Sequence, residues 1–373
     1  MMKRHQVIAV IIIVVVLILD SISAIKFSAM KITEKLYPKN TLSKTMSLSE
    51  YCPNLKGTPG DTKIYFFDSG NSGATVLVLG GTHPNETAGF IAALVLIENI
   101  IPKEGKFIII PQACSSGFTC TDPMEATPQF FTLKTKSGNR QFRYGSRVSN
   151  PLDQWPDPLV YSHYPSGQQL SGFETRNLNR SYPGRSNGTF TEEVGFAIVE
   201  LIKREKVNVA IDLHEASPET PIINAIIVHE KCRDIGASAV LNLEFENLQY
   251  ALEISPKNFR GLSHREWGDG TAAYPFLMET SNPIQGRLRG KTNSNLIISG
   301  KDDQYERAVK TKSFRISYEL SGEPLSLRVG RHIQGIKTIL ESYNEYSADK
   351  KIEFENIPSY NDLVKDGVNA YLR

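Results

Sequence analysis

Residues 77–86 read LVLGGTHPNE, and they decide the fold. The run 75–79 is apolar at nearly every position and rich in β-branched side chains, as a strand buried on both faces should be. It empties into Gly80 and Gly81, and His83 and Glu86 follow at the expected start of a helix over 87–100. Glycines let the backbone turn tightly there, so an imidazole and a carboxylate can be aimed at one point. Alone, a His-x-x-Glu pair is weak in a chain with seven histidines; it reads equally as a helix-start glutamate beside an incidental histidine. Residues 207–214, VNVAIDLH, change that reading. They form a second apolar strand with His214 at its C-terminal end. Parallel strands that each end in histidine bring both rings to one edge of a sheet, where ligands of α/β proteins bind. Two histidines and one glutamate leave a fourth zinc position open, the arrangement of a catalytic site. His83, Glu86 and His214 are therefore the candidate ligands of one zinc ion. The competing reading of His214 is a loop imidazole bonded to Asp212 or Glu215.

Outward from these strands the pattern alternates. Short strands are expected over 64–67, 107–110, 222–228 and 314–318, helices over 192–206 and 331–343, and a short apolar stretch over 276–278 after the GDGTAAYP turn. Such alternation predicts an α/β chain: a single domain with a mostly parallel, twisted mixed sheet covered by helices on both faces. Residues 115–190, rich in Gly, Pro, Ser, Gln and Asn, read as long functional loops. The expected boundaries are a leader over 1–24, a polar segment over 25–60 that leads into the domain, the catalytic domain over 61–345, and a C-terminal extension over 346–373.

In the leader, Lys3, Arg4 and His5 precede thirteen apolar residues, 7–19, followed by small residues at Ser21, Ser23 and Ala24. That is the layout of a signal peptide, with an uncleaved membrane anchor as the alternative. Either implies a chain exported to the periplasm or beyond, touching the membrane only through this segment. Formal net charge is +2, or +1 once Lys3, Arg4 and Asp20 are set aside, and no basic aromatic-rich block points to nucleic acid. Cys114 and Cys120 are close enough in sequence to pair, or they are free thiols; without a C-x-x-C, a cysteine zinc site is excluded. Among the other histidines, His5 is in the leader, His163 and His264 fall in polar stretches, His332 opens a helix, and His229 is the one substitute ligand.

Four segments in order, GGTHPNE (80–86), RNLNRSYPG (176–184), IDLHEA (211–216) and ETSNPIQGRLRG (279–290), resemble the zinc metallocarboxypeptidase superfamily, in its succinylglutamate desuccinylase and aspartoacylase branch. The resemblance covers roughly residues 75–290 and implies that fold, one zinc ion and hydrolysis of an amide next to a carboxylate, either as a carboxypeptidase or as an N-acyl amino acid deacylase. It assigns Glu279 as the general base for the zinc-activated water, with Glu319 in ISYEL as competitor. It assigns Asn179 and Arg180 to the substrate carboxylate, whose geometry a guanidinium fork matches. For the arginine that stabilises the carbonyl oxygen, Arg147 leads, with Arg143 and Arg176 also eligible; Arg143 otherwise serves the substrate. The rival from another class is a non-catalytic binding protein on the same fold. GRLRGKT (286–292) is one glycine short of a phosphate-binding loop, since position 285 is Gln. Glycosylation sequons begin at Asn85, Asn179 and Asn187, and two lie inside proposed site motifs, which favours a bacterial envelope.

Overall fold

The computed structural model describes residues 3–122, 128–311, 318, 320–347 and 349–373. Its centre is an eight-stranded mixed sheet: β1 (Lys44–Ser47), β2 (Lys63–Asp68), β3 (Thr75–Leu79), β4 (Lys106–Ile110), β5 (Val209–Ala216), β6 (Ala225–Val228), β7 (Ala251–Ile254) and β8 (Tyr274–Ser281). Across the sheet the order is β1-β2-β4-β3-β5-β8-β6-β7. The inner ribbon β4-β3-β5-β8 is parallel throughout, as is β6 with β7. Antiparallel pairing occurs at β1–β2, β2–β4 and β6–β8.

The helices that cover the sheet are α2 (Thr87–Asn99), α3 (Phe190–Arg204), α4 (Arg233–Phe245), α5 (Ser263–Gly270) and α6 (Leu325–Tyr346), while α1 (Arg4–Ala29) stands outside it. Strand alternation sorts the core into two layers. Val76, Val78, Ile211 and Leu213 join one layer with α2, α4 and α6, whereas Leu77, Leu79, Ile108 and Ala210 join the other with α3 and Trp267. α2 is apolar all round and buried from Thr87 to Glu98, as a helix enclosed by sheet and α6 must be. It lies so close on β5 that a Cβ at Gly89 would come 2.5 Å from the Leu213 carbonyl oxygen. Gly81, at φ 65°, makes the turn between β3 and the site loop.

Three expectations need amending. The segment over 25–60 contributes the edge strand β1 and buries Leu48, Tyr51 and Leu55. The loops over 115–190 carry two hairpins, Phe130–Thr135 with Gly138–Arg143 and Val160–Ser162 with Gln169–Ser171. In the C-terminal extension, Glu353–Glu355 pairs with the short strand Ile101–Glu104, and Leu363, Val368 and Leu372 join the core. The late strand expected over 314–318 lies, apart from Tyr318, outside the described residues, and so does Glu319.

Candidate metal centre

β3, β5 and β8 are neighbours, and their C-terminal ends build one site. His214 on β5 and Glu279 on β8 are in register, so their side chains leave the same face side by side. From β3, the Gly80–Gly81 turn returns His83 and Glu86 to the same point. His83 Nδ1 lies 2.7 Å from Glu86 Oε1, His214 Nδ1 lies 3.0 Å from Glu86 Oε2, and the two Nδ1 atoms are 3.2 Å apart. All three residues are buried. Of the outer nitrogens, His83 Nε2 is hydrogen-bonded to Asn177 Oδ1 at 2.9 Å, while His214 Nε2 stands 2.9 Å from Asp212 Oδ2 at ion-pair distance without hydrogen-bond geometry. With Nε2–H directed at Asn177, the His83 ring keeps its Nδ1 lone pair for the cluster. Asp212 is itself held by the Thr82 hydroxyl at 2.7 Å.

This donor set fits zinc. Bonds of about 2.0–2.1 Å in a tetrahedron put neighbouring ligand atoms about 3.3 Å apart, close to the spacings observed. Among the described residues, these three are the group whose donor atoms come together in this way, all within 4.8 Å of one another. The electrostatics agree. Burial opposes charge on Glu86, but His83 and His214 outweigh it and hold its carboxyl well below the usual range. Burial, then the Arg147 charge, pushes His83 down to about 4. Burial works against His214 too, yet Asp212 and Glu86 raise it well above 6.5. A cation at their midpoint would replace the shared protons.

Glu279 faces the cluster across a cleft of about 910 Å³. The residue keeps some exposure to the cleft, but its Oε2 is shut off from solvent and has no hydrogen-bond partner. Burial first, then the Glu86 charge, pushes its carboxyl up to about 8. Arg147, part-exposed, donates from Nη1 to Glu86 Oε1 at 2.9 Å. Arg180 lines the cleft with its guanidinium over the Phe259 ring, 4.9 Å from the centroid, and donates to the Asn179 carbonyl. Asn179 also lines the cleft while its Oδ1 accepts from Ser263 N at the start of α5.

Two eligible arginines do not join the site as expected. Arg143 grips Glu34 with Nε at 2.9 Å and Nη2 at 2.8 Å, in a buried pair outside the cleft, so it has no free face for substrate. Arg176 reaches the cleft wall, but its Nε and Nη2 bind Asp157. The loop over 286–292 directs its amides at carboxylates, Leu288 N to Glu219 and Gly290 N to Asp302, the opposite of a phosphate cradle. His229 pairs with Asp269 at 2.9 Å, apart from the cluster. No disulfide joins Cys114 and Cys120; both are free.

Residues that the sequence reading passed over complete the site. Asn177 sits in the same RNLNR segment as Asn179 and Arg180, two and three positions before them. Gln285 donates to Glu86 Oε1 at 3.0 Å. Asp122 accepts from Asn85 Nδ2 at 2.8 Å and from Arg147 N at 2.7 Å, tying the metal loop to the arginine loop. His264, read as a loop residue, lies in α5 and lines the cleft, buried, with neither ring nitrogen partnered. Burial, then the charge of His214, pushes it down to about 3.

No protein-family model matches the chain, and no curated protein matches its sequence. Solved structures do match. A succinylglutamate desuccinylase from a Silicibacter species shares 17% identity over 58% of this chain and 53% of its own, with a TM-score of 0.36. An aspartoacylase family protein from Mesorhizobium loti shares 19% over 59% and 55%, TM-score 0.36. The cell shape determinant protein Csd4 from Helicobacter pylori shares 13% over 79% and 56%, TM-score 0.44. The chain thus spans about half the length of the structures it matches.

Proposed function

We propose that this chain is an exported zinc-dependent hydrolase that cleaves an amide bond next to a carboxylate. The observation that carries this reading is the meeting of His83 Nδ1, His214 Nδ1 and the Glu86 carboxylate at 2.7–3.2 Å, with the unpartnered Oε2 of Glu279 on the adjacent strand. One zinc ion held by the three would polarise the scissile carbonyl and acidify a water. Glu279 takes a proton from the attacking water and returns it to the leaving nitrogen as the C–N bond breaks, giving a carboxylate and an amine. Its elevated affinity for a proton suits the return of that proton to the leaving nitrogen. Asn177 orients the His83 imidazole through its outer nitrogen, and the Asp212 carboxylate answers the charge of His214 from 2.9 Å. Arg147, beside Glu86 at the edge of the cleft, would stabilise the negative charge that develops on the carbonyl oxygen. Arg180 binds the substrate carboxylate, with Asn179 fixing the loop that carries it.

Peptides and N-acyl amino acids both satisfy this chemistry. A screen of the two classes with metal-replete protein, run beside a chelated control, decides between carboxypeptidase and deacylase. Turnover that persists in the chelated control removes zinc from the reaction, and no turnover on either class favours the binding-protein reading.

A further inference from the structure

α1 has twenty-six residues, a mean hydropathy of 3.0 over its most apolar window, and no buried residue. It runs unbroken through positions 21–24 to Ala29. Met30, immediately after it, is fully buried, and Arg143 donates from Nη1 to the Met30 carbonyl at 3.0 Å. Four residues on, the same guanidinium holds the Glu34 carboxylate, 4% exposed. A helix clamped this way carries the domain with it.

Beside that clamp lies an apolar loop. Leu152 and Asp153 line the same small cavity as Lys31 and Thr33, which places the start of the 152–160 loop at the base of α1. Leu152 is 82% exposed, Trp155 72% and Leu159 100%. Water-facing side chains of this size on one loop mark an interaction surface. The acids of the loop are turned away: Asp157 receives Nε and Nη2 of Arg176, and Asp153 receives the Ser116 hydroxyl. The tip therefore presents apolar and aromatic groups with little charge to desolvate, and a tryptophan among them suits the headgroup boundary. The loop continues through Phe173 and Arg176, which wall the cleft.

We infer that α1 is retained as a membrane span and that the 152–160 loop is a second, peripheral contact with the same bilayer, seating the cleft beside the lipid surface. The inference does not rest on the proposed hydrolysis. The chain offers a direct probe, since it has two tryptophans and Trp267 is fully buried. The full chain is reconstituted in phosphatidylcholine–phosphatidylglycerol vesicles carrying brominated acyl chains. Bromolipid should remove the larger part of the Trp155 emission, the Trp155→Phe variant should show no such loss, and Leu152→Glu with Leu159→Glu should restore emission while leaving metal content unchanged. Emission that ignores bromolipid but is quenched by aqueous iodide in the same vesicles overturns the contact. A chain recovered from its host with its N-terminus at or beyond residue 25 overturns the retained span.

Discussion

His214 and Glu215 are consecutive on β5 and point to opposite faces of the sheet, and the two faces treat buried charge differently. Glu215 faces the α2–α6 layer, where Arg328 Nη1 meets its Oε1 at 2.6 Å and Ala88 N donates to its Oε2 at 2.9 Å. Both partners of that ion pair are fully buried. Its charge is answered by a guanidinium built into the core, so nothing further need bind. His214 faces the cleft, where Glu86, Asp212 and Glu279 gather around two imidazoles and the nearest arginine to the donors, Arg147, is part-exposed. Carboxylates in that setting suit a cation from outside. One strand thus supplies a closed structural pair and an open chemical site from adjacent residues.

Substitutions can break this contrast. On the open side, Glu279→Gln removes the proposed proton carrier and keeps the shape; hydrolysis should fall about 10²–10⁴-fold with metal content intact. Unchanged turnover would transfer the role to Glu319. On the closed side, Arg328→Ala leaves a buried carboxylate alone and should cost about 3–5 kcal/mol in chemical denaturation. The folded fraction should still bind metal, and a variant as stable as the parent would show that the pair is not what holds α6 to the sheet. Arg180→Ala should raise KM by about tenfold for carboxylate-bearing substrates with kcat little changed, the worth of one charge-assisted bond. An effect confined to kcat would place Arg180 at the reacting centre instead.

A further expected effect is in the pH dependence of stability. His264 is held near 3 by burial, below its unfolded value of about 6.5. Between those values the unfolded chain binds more protons, so His264 lowers stability as pH falls below 6.5. His264→Gln should flatten the acid side of the stability profile in metal-free protein, and an identical slope would mean that His264 takes up its proton without unfolding.

Much of this was legible in advance because strands speak locally. The apolar runs at β3 and β5, each ending near a histidine, placed His83, Glu86 and His214 together before any contact was known, and Glu279 followed from the resemblance. Strand direction was less legible: β2 and β6 are as apolar as their neighbours, and pairing sense depends on distant connections. What the long loops bring together was least legible. Asp122 reaches Asn85 across thirty-seven residues, and Asn177 reaches His83 across ninety-four. Arg143 was eligible beside the favoured Arg147 in the FRYGSR stretch, yet Glu34, from a segment taken to be only a lead-in, claims Arg143. The α4 helix was missed even though Ile235, Ala239 and Leu243 are spaced four apart, because its other face is polar.

The most direct test of the central claim is metal content after dialysis against buffered zinc, measured for the parent, His83→Ala and His214→Ala. The account predicts about one zinc per chain in the parent and none retained in either variant while both stay folded. Full occupancy in the two variants would contradict it.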